Sequence, residues 1–125
     1  MTREQIEALE PGRELDAIVA EKVMGFVDVG ESFYRTPTED IYHISDIEFS
    51  TDPNAHAALW DKLIADGWSI RVGTGVLPHW QPGEVIGVNW AEVFQGEPLE
   101  LSFPSRGQTR YHALAKCALL AYSEQ

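Results

Sequence analysis

Cysteine is almost missing from this chain, where Cys117 stands alone. One thiol cannot close an intrachain disulfide, and no Cys-x-x-Cys pair exists to hold zinc. Positive charge is scarce too: nine Lys and Arg face twenty Asp and Glu, for a formal net charge of -11. Gripping a phosphate backbone needs clustered cations, so no nucleic-acid partner is expected. No apolar run approaches the 18 or so residues of a membrane span, and no membrane partner is expected. The opening MTREQIEALE carries charge where a signal peptide needs an apolar core, which places the protein in the cytoplasm. Walker and GxGxxG patterns are absent as well, so no cofactor is implied.

What is present describes a globular chain. Of 125 residues, 44% are hydrophobic and 23% charged, which suits a single domain over residues 1–125 that buries its core without staples. Thr2 and Gln5 have the spacing of a capping box, and Pro11-Gly12 ends that first turn. RELDAIVAEKVMG then places Leu15, Ile18, Val19 and Val23 on one helical face, with Gly25 as its stop. Residues 26–40 read as an irregular connection with an edge strand at Phe26–Val29, and 41–49 as a strand or ordered loop. In STDPNAHAALWDKLIADG, Asp52 is placed to cap and Pro53 to open a helix whose stripe is Ala55, Ala58, Leu59 and Leu63. Three alternating stretches follow: Trp68, Ile70 and Val72; Ile86, Val88 and Trp90; Leu99, Leu101 and Phe103. Joined by turns, they form an antiparallel meander. The last helix, from Thr109 to Tyr122, is apolar nearly all round and must be buried on more than one side. That breadth predicts a homodimer or higher homo-oligomer.

Three segments carry a resemblance. ELDAIVAEKVMG, STDPNAHAALWDKL and TRYHALAKCALL come in the order found in the phage ABA-sandwich domain family, small proteins of phages and prophages. The first resembles that family's helix almost residue for residue over Glu14 to Gly25. The resemblance implies an antiparallel sheet between helical layers, and a location in the cytoplasm of a bacterial host. It brings no catalytic motif. The chain departs from the family at Arg110, Tyr111 and His112, where small or apolar residues are expected, and such a difference suits a recognition surface.

SFPSRGQTRY, residues 102–111, is the main candidate site. A helix start presents free N–H groups and partial positive charge, and so favours anions. Ser105, Gln108 and Thr109 offer donors, Gly107 offers close approach, and Arg106 and Arg110 can clamp an anion. Tyr111 and His112 adjoin them. The plain alternative is a helix cap beside two surface arginines. Trp80, next to His79 in a Pro/Gly loop, can stack on a nucleobase or fold back on the core. The four histidines have no metal-ligand spacing, although His43 with Asp46 leaves a partial site open. Cys117, mid-helix among apolar residues, is placed as a buried hydrophobe rather than a nucleophile. No catalytic residue is named, and enzymatic activity is not expected.

The expected fold is therefore α+β, an antiparallel sheet of about three to five strands between helical layers (an α-β-α sandwich). The expected function is non-enzymatic capture of a small anionic ligand, a nucleotide-type signal of host defence. The alternative is an acidic protein-protein inhibitor or DNA mimic, resting on Glu31, Glu39, Asp40, Asp46, Glu48, Asp52 and Asp61.

Overall fold

The computed structural model describes residues 1–75, 89–96 and 101–123, with Leu101 described by its backbone alone. The capping box forms: Thr2 Oγ1 accepts the Gln5 N–H at 3.1 Å, and the Gln5 side chain accepts the Thr2 N–H at 2.8 Å. These bonds open the short helix α1 (Arg3–Glu7). Helix α2 (Arg13–Lys22) buries Leu15, Val19 and Ala20. It also buries Asp16, which accepts the Ser50 N–H at 2.8 Å. Desolvation raises that carboxyl's pKa, and the bonds from Ser50 act against the rise. Gly25 follows at φ +74°, the left-handed conformation that ends a helix at little cost to glycine.

Residues 27–43 hold more order than their sequence suggests. Strands β1 (Val27–Gly30), β2 (Phe33–Arg35) and β3 (Ile41–His43) pair antiparallel in chain order, and a 3-10 turn (Ile44–Asp46) leaves the last. Two are only three residues long. Their turns place Glu31, Ser32 and Glu39 at positive φ, where Gly or Asn would have marked the turn. A bulge between Asp28 and Gly30 further breaks the alternation.

Helix α3 (Pro53–Ala65) starts at the expected proline. Asp52 takes the N-cap position, yet its side chain makes no capping bond. The buried stripe is narrower than expected: Leu59 and Leu63 are inside, while Ala58 faces solvent.

Strands β4 (Ser69–Thr74), β5 (Asn89–Gln95) and β6 (Leu101–Gly107) form the expected meander, each paired antiparallel with the next. The residues Ile86, Val88 and Leu99 lie outside the described residues. Strand β6 runs to Gly107, so most of SFPSRGQTRY is strand rather than loop. Pro104 is tolerated because, among the described residues, β6 is an edge strand that bonds only to β5.

Helix α4 (Arg110–Ser123) crosses this second sheet and is buried from His112 to Ala121. It packs on β4, β5 and β6, and also against α1, α2 and α3. One chain thus covers the apolar girth of α4, and the helix by itself calls for no second copy. Cys117 is fully buried, its Sγ–H donating to the Ala91 carbonyl at 3.0 Å. The architecture is α+β: among the described residues, four helices and two antiparallel three-stranded sheets packed against them. None of the described helices is long and apolar enough to cross a membrane.

Candidate functional site

The turn from β6 into α4 is built by its own side chains. Thr109 is the cap, its Oγ1 accepting the His112 N–H at 3.1 Å and its carbonyl the Ala113 N–H at 3.0 Å. His112 is 4% exposed and holds the turn from inside. Its Nδ1 accepts the Gln108 N–H at 3.0 Å, which leaves Nε2 to donate to the Leu9 carbonyl at 2.7 Å. These two bonds fix the neutral tautomer. Burial lowers the His112 pKa, as that assignment requires. His112 therefore joins α4 to the end of α1 and presents no free ring nitrogen.

Gly107 has a packing role. A Cβ there would lie 2.7 Å from the Ala113 backbone N and 2.7 Å from His112 Nδ1. The close approach that this glycine permits is to the protein's own helix. Ser105 is buried too, donating to a Glu7 carboxylate oxygen at 3.1 Å.

The two arginines diverge. Arg106 lines a cavity of about 330 Å³ with Gln108, Lys116 and the acids Glu7 and Glu10. Gln108 donates to Glu10 at 2.7 Å there, and buried Lys116 donates to the Glu7 carbonyl at 3.2 Å. Desolvation lowers the Lys116 pKa. Arg110 lines a different cavity, of about 340 Å³, with Thr109, Tyr111, Val72, Gly73, Thr74 and Asn89. Thr74 and Asn89 face each other across the β4–β5 pair, and Asn89 Nδ2 ties the strand to the turn by donating to the Gln108 carbonyl at 2.9 Å. The arginine clamp expected from sequence is thus not assembled: one arginine lines each cavity.

The Arg110 cavity has the more open electrostatics. Arg110 is exposed and its guanidinium sits 5.6 Å from the Tyr111 ring centre. Among the described residues no carboxylate pairs with it. His56 of α3 also meets the Tyr111 ring, edge-on at 4.8 Å. Its Nδ1 is buried without a hydrogen-bond partner among the described residues. Burial first, and the Arg110 charge second, lower its pKa and favour the neutral ring. His56, Thr74 and Asn89 were not singled out from sequence. Only a register for the β4–β5 pair would have placed Asn89 opposite Thr74. His79 and Trp80 lie outside the described residues.

The chain resembles a solved phage protein in fold. A crystal structure of a phage protein from Bacillus cereus superposes with a TM-score of 0.64 at 17% identity, over 94% of this chain and 91% of that one. At such identity the likeness speaks for the fold alone. No protein-family model matches the sequence, and no curated protein matches it at a significant level.

A second polar cluster lies on the sheet face away from α4. Glu92 is fully buried; Arg71 binds one of its oxygens through Nε at 3.0 Å and Nη2 at 2.6 Å, and Ser102 donates to the other. Arg71 also stacks over Phe94 at 5.1 Å. Sequence reasoning passed over Glu92, because one acid among twenty carries no signal until its strand face is known. No group of His, Cys, Asp and Glu fit to hold a metal occurs among the described residues, and His43 with Asp46 gains no third ligand there.

Proposed function

We propose that this is a non-enzymatic phage or prophage protein of the ABA-sandwich type that captures a small anionic ligand of nucleotide type in the Arg110 cavity. The phage assignment rests on the three sequence segments together with the likeness to the Bacillus cereus phage protein. The ligand assignment rests on one observation. Arg110 is the first residue of α4, and no carboxylate among the described residues neutralises it. A cation there opposes the helix dipole, an arrangement that costs about 0.3–1 kcal/mol. The chain has twenty acids that could offset it, yet the first turn of α4 contains none. An arginine held against the dipole and left unpaired is explained by an anion that joins it. Thr74, Asn89 and the Tyr111 ring supply polar and stacking contacts at the same cavity. A volume near 340 Å³ lies at the small end of ligand sites, which limits the occupant to mononucleotide size.

Thermal melting with a panel of linear and cyclic nucleotides tests this reading. A ligand present at a hundred times its Kd should stabilise the fold by about 2.7 kcal/mol. Arg110→Ala should abolish that gain while leaving the unliganded protein equally stable or slightly more so, by about 0.3–1 kcal/mol, since the opposed dipole is relieved. An Arg110→Ala protein that still gains stability from the same nucleotide refutes the assignment. So does a panel in which no anion shifts melting.

A further inference from the structure

On another side of the molecule, a groove runs between the end of α2, strand β3 and the first turns of α3. Its volume is about 270 Å³, and Met24, Phe26, Tyr42 and Phe49 line it with the carboxylates of Asp46 and Asp52. Phe26 and Phe49 meet at 6.2 Å between ring centres, with Phe49 buried and Tyr42 exposed. Neither carboxylate has a partner among the described residues. Asp52 occupies the N-cap of α3 without accepting a bond from the helix, and neither it nor Asp46 joins an ion pair among the described residues. No basic residue lines the groove.

We propose that this groove binds an organic cation with an apolar body, an aryl- or alkylammonium, its charge held by Asp46 and Asp52 and its body laid on Met24, Phe26, Tyr42 and Phe49. Electrostatics select the sign of the occupant. The α3 terminus contributes about half a positive charge against two full negative ones, so the local field still favours a cation. The net charge of -11 adds to that field, and steers cations towards the protein rather than away. Chemistry selects the body. Aromatic faces attract an ammonium within about 6 Å of a ring centre. A thioether adapts to irregular apolar shapes. A neutral apolar guest would strip water from two carboxylates and return nothing to them, and an anion would be repelled. Only a guest with both features satisfies both walls.

Three isosteric probes separate these cases by chemical-shift titration at low ionic strength: phenethylammonium, 2-phenylethanol and phenylacetate. The ammonium should bind at least about 10-fold more tightly than the alcohol, the scale of a partly exposed charge pair, with phenylacetate weakest. Its shifts should centre on Met24, Phe26, Tyr42 and Phe49. Asp46→Asn and Asp52→Asn should each weaken it by about 3- to 10-fold, and the double variant should bind ammonium and alcohol alike. Asn is as good an N-cap as Asp, so melting of Asp52→Asn should match the wild type and keep the comparison fair. Equal binding of ammonium and alcohol by the wild type overturns the proposal. Undiminished ammonium binding by the double variant, or shifts centred elsewhere, overturns it equally.

Discussion

Gly107→Ala is the sharpest perturbation of the β6–α4 turn, because the added atom has nowhere to go. Its Cβ would stand 2.7 Å from a backbone nitrogen of α4 and 2.7 Å from the His112 ring. Both obstacles are stiff: the first belongs to the helix, and the second is bonded to Gln108 and Leu9 at its two nitrogens. Overpacking of this kind costs about 1–3 kcal/mol. Displacing His112 would break one or both of its bonds, each worth about 1 kcal/mol net. Gly107 is not at positive φ, so alanine also gains about 0.4–1 kcal/mol from a less flexible unfolded chain. The balance is a loss of about 1–4.5 kcal/mol. For a chain of this length that corresponds to roughly 4–18 °C in Tm, from about 4 °C per kcal/mol. Urea unfolding followed by tryptophan fluorescence and by far-ultraviolet circular dichroism measures it. A loss below about 0.5 kcal/mol, the scale of an ordinary surface substitution, would mean that the turn yields easily and that His112 does not hold it.

Two further outcomes follow from buried groups. Cys117 should resist alkylation in the native protein and react on unfolding, since burial pushes its thiol pKa well up; rapid labelling under native conditions would contradict its position. Stability should fall as pH drops below about 6.5. His56 and His112 both have folded pKa values lowered by burial, so the unfolded chain binds more protons there, and the stability present above the unfolded pKa is lost towards the folded values. Equilibrium unfolding between pH 7 and 5 reads this slope. His56→Gln should flatten it, and an unchanged slope would remove His56 as a cause.

The helices were the most legible part of the sequence, for physical reasons that differ along the chain. The capping box at Thr2 and the Asp-Pro start of α3 are local signals, complete within a few residues, and they needed no tertiary context. The β4–β5–β6 meander followed from period-2 alternation. The edge strand at 26–29 and the strand or loop at 41–49 were legible, but β2 and the pairing of the three were hidden because the strands are short and because their left-handed turn positions are Glu31, Ser32 and Glu39 rather than glycine. The candidate site was legible only in part. Chain proximity put Arg106 and Arg110 together, but one lies on a strand and the other on a helix across a turn, and they open into separate cavities. Gly107 looked like room for a ligand because the sequence does not say which backbone approaches it. His56 could not be found at all, since it reaches Tyr111 through packing of α3 near α4 rather than through any spacing.

The charge of the chain bears on what either cavity can hold. Around an acidic protein the long-range field repels anions, but at physiological salt it decays over about 8 Å. Arg106 and Lys116 share their cavity with Glu7 and Glu10, so an anion entering there would meet two carboxylates as well as two cations. The residues that line the cavity at Arg110 include no acid. An anion small enough to stay within that cavity sees the guanidinium and the α4 terminus at full strength and the acidic surface only through screening. A long polyanion such as duplex nucleic acid would extend past it and meet the acids directly. A small anion and an acid-free lining are thus compatible with a net charge of -11, and of the two cavities that lining is found at Arg110.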